Sequence, residues 1–260
     1  MNKKSIVNKI KTKIKTPVQV GIILGSGIDI LPLVENPIEI SYKELKMPQV
    51  KVKGHSGKFI FGSISGINVV LASRYHYYEC GDMEAVRLPL YIIKELGAES
   101  VIMQSSTGAL NSSLKMGDVC LVKDHINFTG NNPLIGADEL KFVNMYDNYN
   151  KNYRDRVLNL NKDIKQVVHI QFNGPNYETQ AEIKMAKVLG ADTVSMSLVY
   201  DNLIARYLDM KVLAFAVVTN ELDESKNKTL NHLEVLDVAK KANDCLVKII
   251  DDAFKNNIFE

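Results

Sequence analysis

A chain of 260 residues that is 46% apolar and 24% charged is long enough to bury a full core, as one large α/β domain or two small ones. Its net charge of +2 offers no basic field for nucleic acid, and no apolar run is long enough to span a bilayer or to make a signal-peptide core. Cys80, Cys120 and Cys245 are an odd, widely spaced set without metal-ligand or disulfide spacing, so reduced thiols and a cytoplasmic location are expected.

No linker, repeat or low-complexity tract splits the chain, which reads as one domain over residues 1–260. Lys3, Lys4, Lys9, Lys11, Lys13 and Lys15 share the first segment with Ile6, Ile10 and Ile14. The spacing predicts an amphipathic helix within residues 1–17 that docks its isoleucines on the core and solvates its lysines, rather than a nucleic-acid arm. Val18 to Leu24 is a β-rich apolar run feeding Gly25-Ser26-Gly27. Backbone amides of such a loop point readily at an anion, with the Ser26 hydroxyl as an extra donor. A tight turn is the plainer alternative, and Ile30 stands where a dinucleotide fingerprint wants a third Gly.

Lys58 to Phe61 and Ile67 to Ala72 flank Ser65-Gly66 as a hairpin, preceded by Gly54-His55-Ser56-Gly57 and followed by Ser73-Arg74-Tyr75-His76-Tyr77-Tyr78-Glu79. Arg74 offers a planar fork for bidentate oxyanion contacts, and His76, two residues on, shares its face if the strand continues. A phosphate or carboxylate site fits the pair; for Arg74 alone, a cross-strand ion pair fits as well. Met83 to Leu96 reads as a helix with Gly97 past its end, kinked or divided at Pro89. Ser100 to Met103 is a buried strand ending in a small-residue loop, Ser105-Ser106-Thr107-Gly108, and Asp118 to Val122 is another strand. Asn131 to Asn152 reads as a long functional loop carrying Phe142.

Val167 to Phe172 reads as a strand, Tyr177 to Leu189 as a helix closed by Gly190, and Thr193 to Ser195 as a strand tip. Tyr177, Glu178, Met196 and Ser197 then fall at element ends, outside the carboxyl edge of the strands, where α/β sheets hold ligands. Lys211 to Val218 is a further strand, terminating at Thr219-Asn220. The last helix begins near Asn231 with Glu234 completing a capping box, and His232 lies in its first turn, where the helix dipole favours a neutral ring. Each residue alone has an ordinary reading: packing for Tyr177, a first-turn carboxylate for Glu178, a cap for Ser197, a surface position for His232. Together they describe a site for a flat, polar, phosphorylated ligand.

These motifs, joined by Gly117-Asp118, Asp124-His125-Ile126-Asn127, Gly174-Pro175-Asn176-Tyr177-Glu178-Thr179 and Gly190-Ala191-Asp192, occur in one order from about residue 18 to 255. In that order the chain resembles the purine nucleoside phosphorylases of the trimeric type. The resemblance implies a single α/β domain with a mixed, largely parallel central sheet flanked by helices, and a homotrimer. It places Ser26, His55, Arg74, His76, Ser106 and Ser197 at phosphate, and Tyr78 and Met196 at the ribose, with His232 at its 5′-hydroxyl. Tyr177, Glu178, Asn220 and Val235 line the base pocket, and Phe142 reaches into a neighbouring subunit's site. Asn220, Glu178 and His76 are the implied catalytic groups; phosphate is the co-substrate, and no metal, organic cofactor, nucleic acid or membrane is required.

Some positions depart from the family pattern. Ser105 and Ser106 stand where Asn and Ala are common, Ala109 where a second Gly is usual, Cys80 where Gly follows the Glu, and Tyr177 where Phe is typical; Tyr200-Asp201 replaces a Pro-Glu pair. None removes a group the reaction needs. A methylthioadenosine phosphorylase would want an acid in place of Asn220 and an apolar residue in place of His232. A nicotinamide-dependent dehydrogenase would want the third Gly and an acid ending a second parallel strand. A nucleoside-binding module without turnover would keep all of these residues.

Overall fold

A computed structural model of the protein describes residues 3–52, 56–222 and 232–260, with the side chains of Cys80 and of residues 232–236 outside the described set. The sheet is organised by strands that are buried almost end to end, as strands covered on both faces are. These are β1 (Val20–Leu24), β4 (Ile67–Ser73), β5 (Ser100–Ala109) and β9 (Lys211–Glu221). To them are added β2 (Glu35–Ser41), β3 (Lys58–Ile64), β6 (Val119–Asn127), β7 (Gln166–Gln171) and β8 (Thr193–Ser195).

Among the described residues these nine strands form one sheet in the order β2-β3-β4-β1-β5-β8-β7-β6-β9, and β5 also pairs with β9. The second half of the sheet therefore closes on itself, with β5 at the junction. The pairings β1 with β4 and β5, β5 with β9, β6 with β7 and β7 with β8 are parallel, and the other four are antiparallel. The sheet is thus mixed, with a parallel centre.

Helices cover both faces. On one lie α1 (Lys3–Lys13), α3 (Met83–Glu95) and α6 (Val199–Tyr207), whose apolar residues join the larger core cluster. On the other lie α4 (Lys151–Leu160) and α7 (His232–Lys255). The one-turn α2 (Tyr77–Cys80) and α5 (Gln180–Val188) sit at the rim of the site. As expected, α1 buries Ile6 and Ile10 and leaves Lys4, Lys9 and Lys11 exposed. Among the described residues no helix is long and apolar enough to cross a membrane.

The structure departs from the sequence reading in several places. Pro89 neither ends nor divides α3; burial of Ala85, Val86, Leu88, Leu90, Ile92 and Ile93 holds the helix together across the missing donor. Ser105 to Gly108 is not a loop but the second half of β5, paired to β9 throughout and to β8 at Gly108. Thr219 and Asn220 likewise lie inside β9. Helix α5 begins at Gln180 because Thr179 and Glu182 form a capping box, so Tyr177 and Glu178 precede the helix rather than start it. The strand carrying Arg74 stops at Ser73, so Arg74 and His76 are not on a shared strand face. The Asn231 cap lies outside the described residues.

Candidate active site

Strand ends, the glycine loop and α2 enclose a cavity of about 390 Å³. It brings together Ser26, Arg74, His76, Tyr78, Ser106, Tyr177, Glu178, Met196, Ser197 and Asn220, which the sequence scatters over nearly two hundred positions. His55 lies outside the described residues, as do the side chains of His232 and Val235. Phe142 does not line this cavity; it is 93% exposed on the irregular segment between β6 and α4.

One end of the cavity is built for an anion. The Arg74 guanidinium is buried, with Nε donating to Asp201 Oδ2 at 2.6 Å. Nη1 donates to the Gln104 carbonyl at 3.0 Å and to Ser197 Oγ at 3.3 Å. Nη2 is buried and has no partner among the described residues. An arginine carries only donors, so its guanidinium beside Ser26, Ser106 and Ser197 in a cavity lining suits an oxyanion. Ser26 and Ser106 close the same end, the Ser106 hydroxyl donating to the Ser26 carbonyl at 3.0 Å. Position 25 must be Gly because of close approach: a Cβ there would lie 2.7 Å from Gln104 Oε1 and 2.9 Å from the Gln104 carbonyl.

His76 caps α2. Its backbone N–H donates to Glu79 Oε1 at 2.8 Å and its Nδ1 lies 3.0 Å from the same oxygen. Burial lowers the His76 pKa, which the Glu79 carboxylate opposes and Arg74 reinforces. Burial raises Glu79, but the hydrogen bonds from the His76 ring, the His76 N–H and the Lys51 N–H outweigh it and hold the carboxyl at about 2. Burial thus favours a neutral imidazole, with Nδ1 turned to the Glu79 carboxylate. Tyr78 stacks on the His76 ring at 4.8 Å, and burial pushes its hydroxyl up to about 12.

Tyr177, Glu178, Met196 and Asn220 also line the cavity. Thr219 Oγ1 shares its proton between Asn220 Oδ1 at 3.1 Å and the Thr107 carbonyl at 3.3 Å, and Asn220 Nδ2 lies on the side of Gly108. Gly108 makes room for it, since a Cβ there would meet Leu222 Cδ1 at 2.8 Å and Asn220 Nδ2 at 3.0 Å. Glu178 is largely buried and its pKa is raised, first by burial. Gly174 (φ 69°) admits Met196, whose Sδ would lie 2.5 Å from a Cβ at that position. Leu198 follows Ser197 at φ 87°, a conformation costly for a branched side chain, and full burial of that side chain holds it there.

Sequence reasoning missed Asp201, the Arg74 partner, and the polar set Ser105, Ser195, Thr193 and His169 beneath Ser197. A signal for the set was available: Thr193, Ser195 and Ser197 alternate with apolar residues at the period of a strand, which places three hydroxyls on one face. Among the described residues no group of three or more His, Cys, Asp or Glu is placed to hold a metal ion.

The mixed α/β sheet that closes on itself around this cavity is the fold of a known enzyme class. The family model of the phosphorylase superfamily matches residues 19–255, and the chain belongs to that family. It is 34% identical over 258 residues to "Purine nucleoside phosphorylase 1" of Geobacillus stearothermophilus, covering 95% of this chain and 94% of that one. It is 33% identical over 252 residues to the Bacillus subtilis protein of the same name, covering 93% of each. The crystal structure of Schistosoma mansoni purine nucleoside phosphorylase in complex with inosine superposes with a TM-score of 0.90 at 31% identity, over 97% of this chain and 95% of that chain.

Proposed function

We propose that this chain catalyses the phosphorolysis of 6-oxopurine ribonucleosides and deoxyribonucleosides such as inosine and guanosine, giving free base and the corresponding sugar 1-phosphate. It is a pentosyltransferase of the purine nucleoside phosphorylase kind. The observation that carries the reading is one cavity lined both by Arg74 with Ser26, Ser106 and Ser197 and by Asn220 with Glu178.

The geometry supports the chemistry in three ways. Phosphate held by Arg74, Ser26, Ser106 and Ser197 is both the nucleophile and a fixed anion beneath a sugar that acquires oxocarbenium character. A neutral His76 has one acceptor nitrogen, which suits the one hydroxyl of hydrogen phosphate. As the glycosidic bond breaks, charge builds on the purine; the Asn220 amide donates to N7 or O6, and ionised Glu178 accepts from N1–H. Tyr78 and Met196 flank the sugar, Tyr177 the base, and His232 and Val235 complete the pocket by resemblance. A cytoplasmic homotrimer is proposed with it, supported by Ile135, Leu140, Phe142 and Tyr146, which are exposed on one segment. Sedimentation of a fully active monomer would remove the trimer.

The deciding assay is hypoxanthine release from inosine with and without phosphate. Release that needs phosphate and yields ribose 1-phosphate supports the reading, and equal release in its absence makes the protein a hydrolase. No release under either condition leaves a nucleoside-binding module.

A further inference from the structure

Ser197 sits at the end of a buried chain of hydroxyls that the phosphorolytic reading does not by itself require. Ser105 Oγ is 2.7 Å from Ser197 Oγ, and its one proton has two further acceptors, Ser195 Oγ at 3.0 Å and the Ser106 carbonyl at 3.2 Å. Ser195 Oγ is 3.0 Å from Nε2 of His169, whose Nδ1 is 3.0 Å from Thr193 Oγ1. His169 is wholly buried, and burial holds its pKa down to about 3, so the ring is neutral.

We propose that Ser105, held by Ser195 and His169, is a positioning residue that turns the Ser197 hydroxyl toward the bound phosphate; this rests on the phosphate reading of the cavity. The argument is one of proton accounting. Ser197 Oγ has a single proton and already accepts from Arg74 Nη1, which only donates. While Ser105 donates to Ser195 or to the Ser106 carbonyl, the Ser105–Ser197 bond must use the Ser197 proton, so Ser197 presents only a lone pair to the cavity. A lone pair repels an oxyanion. One rotation of the Ser105 hydroxyl, from Ser195 to Ser197, reverses that bond and frees the Ser197 proton for a phosphate oxygen.

The exchange costs little. Ser195 Oγ gives up the Ser105 proton but keeps the Ser197 backbone N–H at 3.1 Å as a donor, and it donates its own proton to the Ser197 carbonyl at 3.1 Å. One neutral hydrogen bond is traded for a charge-assisted one to the anion, about twice as strong. The chain is also rigid: Ser105 is buried on β5, Ser195 on β8 is partly buried, and His169 on β7 ties them together. A side chain lacking a rotatable donor at position 105 would leave Ser197 free to point elsewhere.

The test measures phosphate and inosine kinetics for Ser105→Ala, Ser105→Thr and Ser195→Ala beside the wild type, with thermal midpoints for each. Ser105→Ala should raise KM for phosphate about fivefold to tenfold, the net worth of one hydrogen bond, and leave KM for inosine within about twofold. Ser105→Thr restores the hydroxyl and should recover most of that loss, and Ser195→Ala should raise KM for phosphate less than Ser105→Ala does. The role is overturned if Ser105→Ala leaves phosphate KM unchanged, if it raises both KM values alike, or if Ser105→Thr at an unchanged midpoint is as poor as Ser105→Ala. Should Ser105→Thr lower the midpoint, the comparison of Ser105→Ala with Ser195→Ala decides, and an equal or larger loss in Ser195→Ala overturns the ordering. A wild type that releases base without phosphate would overturn the phosphorylase reading itself, a separate result.

Discussion

Arg74 and Asp201, 127 positions apart, form an ion pair at 2.6 Å with both side chains almost wholly buried. The pair joins the end of β4 to the first turn of α6, and it fixes which face of the guanidinium turns to the cavity. Asp201 takes Nε, the Gln104 carbonyl and Ser197 Oγ take Nη1, and Nη2 is what remains. The ion pair read from the sequence as the alternative for Arg74 is therefore present, and it holds the guanidinium in the lining of the cavity proposed to take phosphate.

Removing Asp201 strands a buried charge. Asp201→Ala should cost about 3–5 kcal/mol of folding stability, the usual penalty for breaking a buried pair from one side. Asp201→Glu, which keeps the carboxylate, should cost less. The measurement is the denaturant midpoint of each variant, and an unchanged midpoint in Asp201→Ala would show that solvent or another group already compensates Arg74.

The pH dependence follows from Glu178 and His76. Burial raises the Glu178 carboxyl, so it takes up a proton at higher pH than an exposed carboxylate, and the protonated form no longer accepts from N1–H. The specificity constant for inosine should fall on the acid side at a pH above the ordinary carboxylate range, and Glu178→Gln should remove that limb. A limb that survives in Glu178→Gln reports His76, which burial keeps neutral until more acid conditions than an exposed histidine needs, or the second ionisation of phosphate itself, and His76→Asn separates the two. An identical acid limb in wild type and Glu178→Gln would place the titrating group elsewhere.

Much of this site was legible in the sequence because its residues come as short runs at element ends. Gly25-Ser26-Gly27 follows a buried strand, Arg74 and His76 follow another, and Met196-Ser197 follow a third; each run could be read from the apolar stretch before it. What escaped were features that local pattern does not encode. β2 is opened by Pro37 and shifted in register between Glu35 and Ile38, so it shows no clean alternation. α6 is buried on nearly every side and has no polar stripe to reveal its period. Ser105 to Gly108 looks like a loop by composition, yet its small residues belong to a strand against which Asn220 packs. The Asp201 partnership spans most of the chain, and only the folded topology brings it together.

Gly108 provides a test of that close packing. A methyl group at 108 would press on Leu222 Cδ1 at 2.8 Å and on Asn220 Nδ2 at 3.0 Å, so Leu222 must move and the amide must give by a few tenths of an ångström. Displacements of about 1 Å in a catalytic group cost on the order of a hundredfold in rate. Gly108→Ala should therefore lower the specificity constant for inosine by roughly tenfold to a hundredfold, with KM for phosphate little changed because the oxyanion end is not touched. An equal rise in both KM values would mean that β5 as a whole has moved.

Base choice depends on Asn220 and Glu178 acting together. A 6-oxopurine presents N1–H as a donor and O6 and N7 as acceptors, whereas adenine presents N1 as an acceptor and its amino group as a donor. Ionised Glu178 facing adenine N1 sets two acceptors against each other, and leaving buried groups unpaired costs about 1–3 kcal/mol. Asn220, its Oδ1 held by Thr219, offers Nδ2 to O6 or N7 and has nothing to accept from a 6-amino group without turning over. Inosine and guanosine should thus exceed adenosine by about tenfold to a hundredfold in specificity constant. The raised Glu178 pKa adds a second, sharper expectation: once protonated, the carboxyl becomes a donor that suits adenine N1, so the preference should shrink as pH falls through its pKa. Asn220→Asp, by supplying an acceptor for the amino group, should narrow or invert the preference at neutral pH. Specificity constants for inosine and adenosine, measured across pH in the wild type and in Asn220→Asp, decide the matter; a wild-type ratio near one, or a ratio that does not move with pH, would show that these two residues do not read the base.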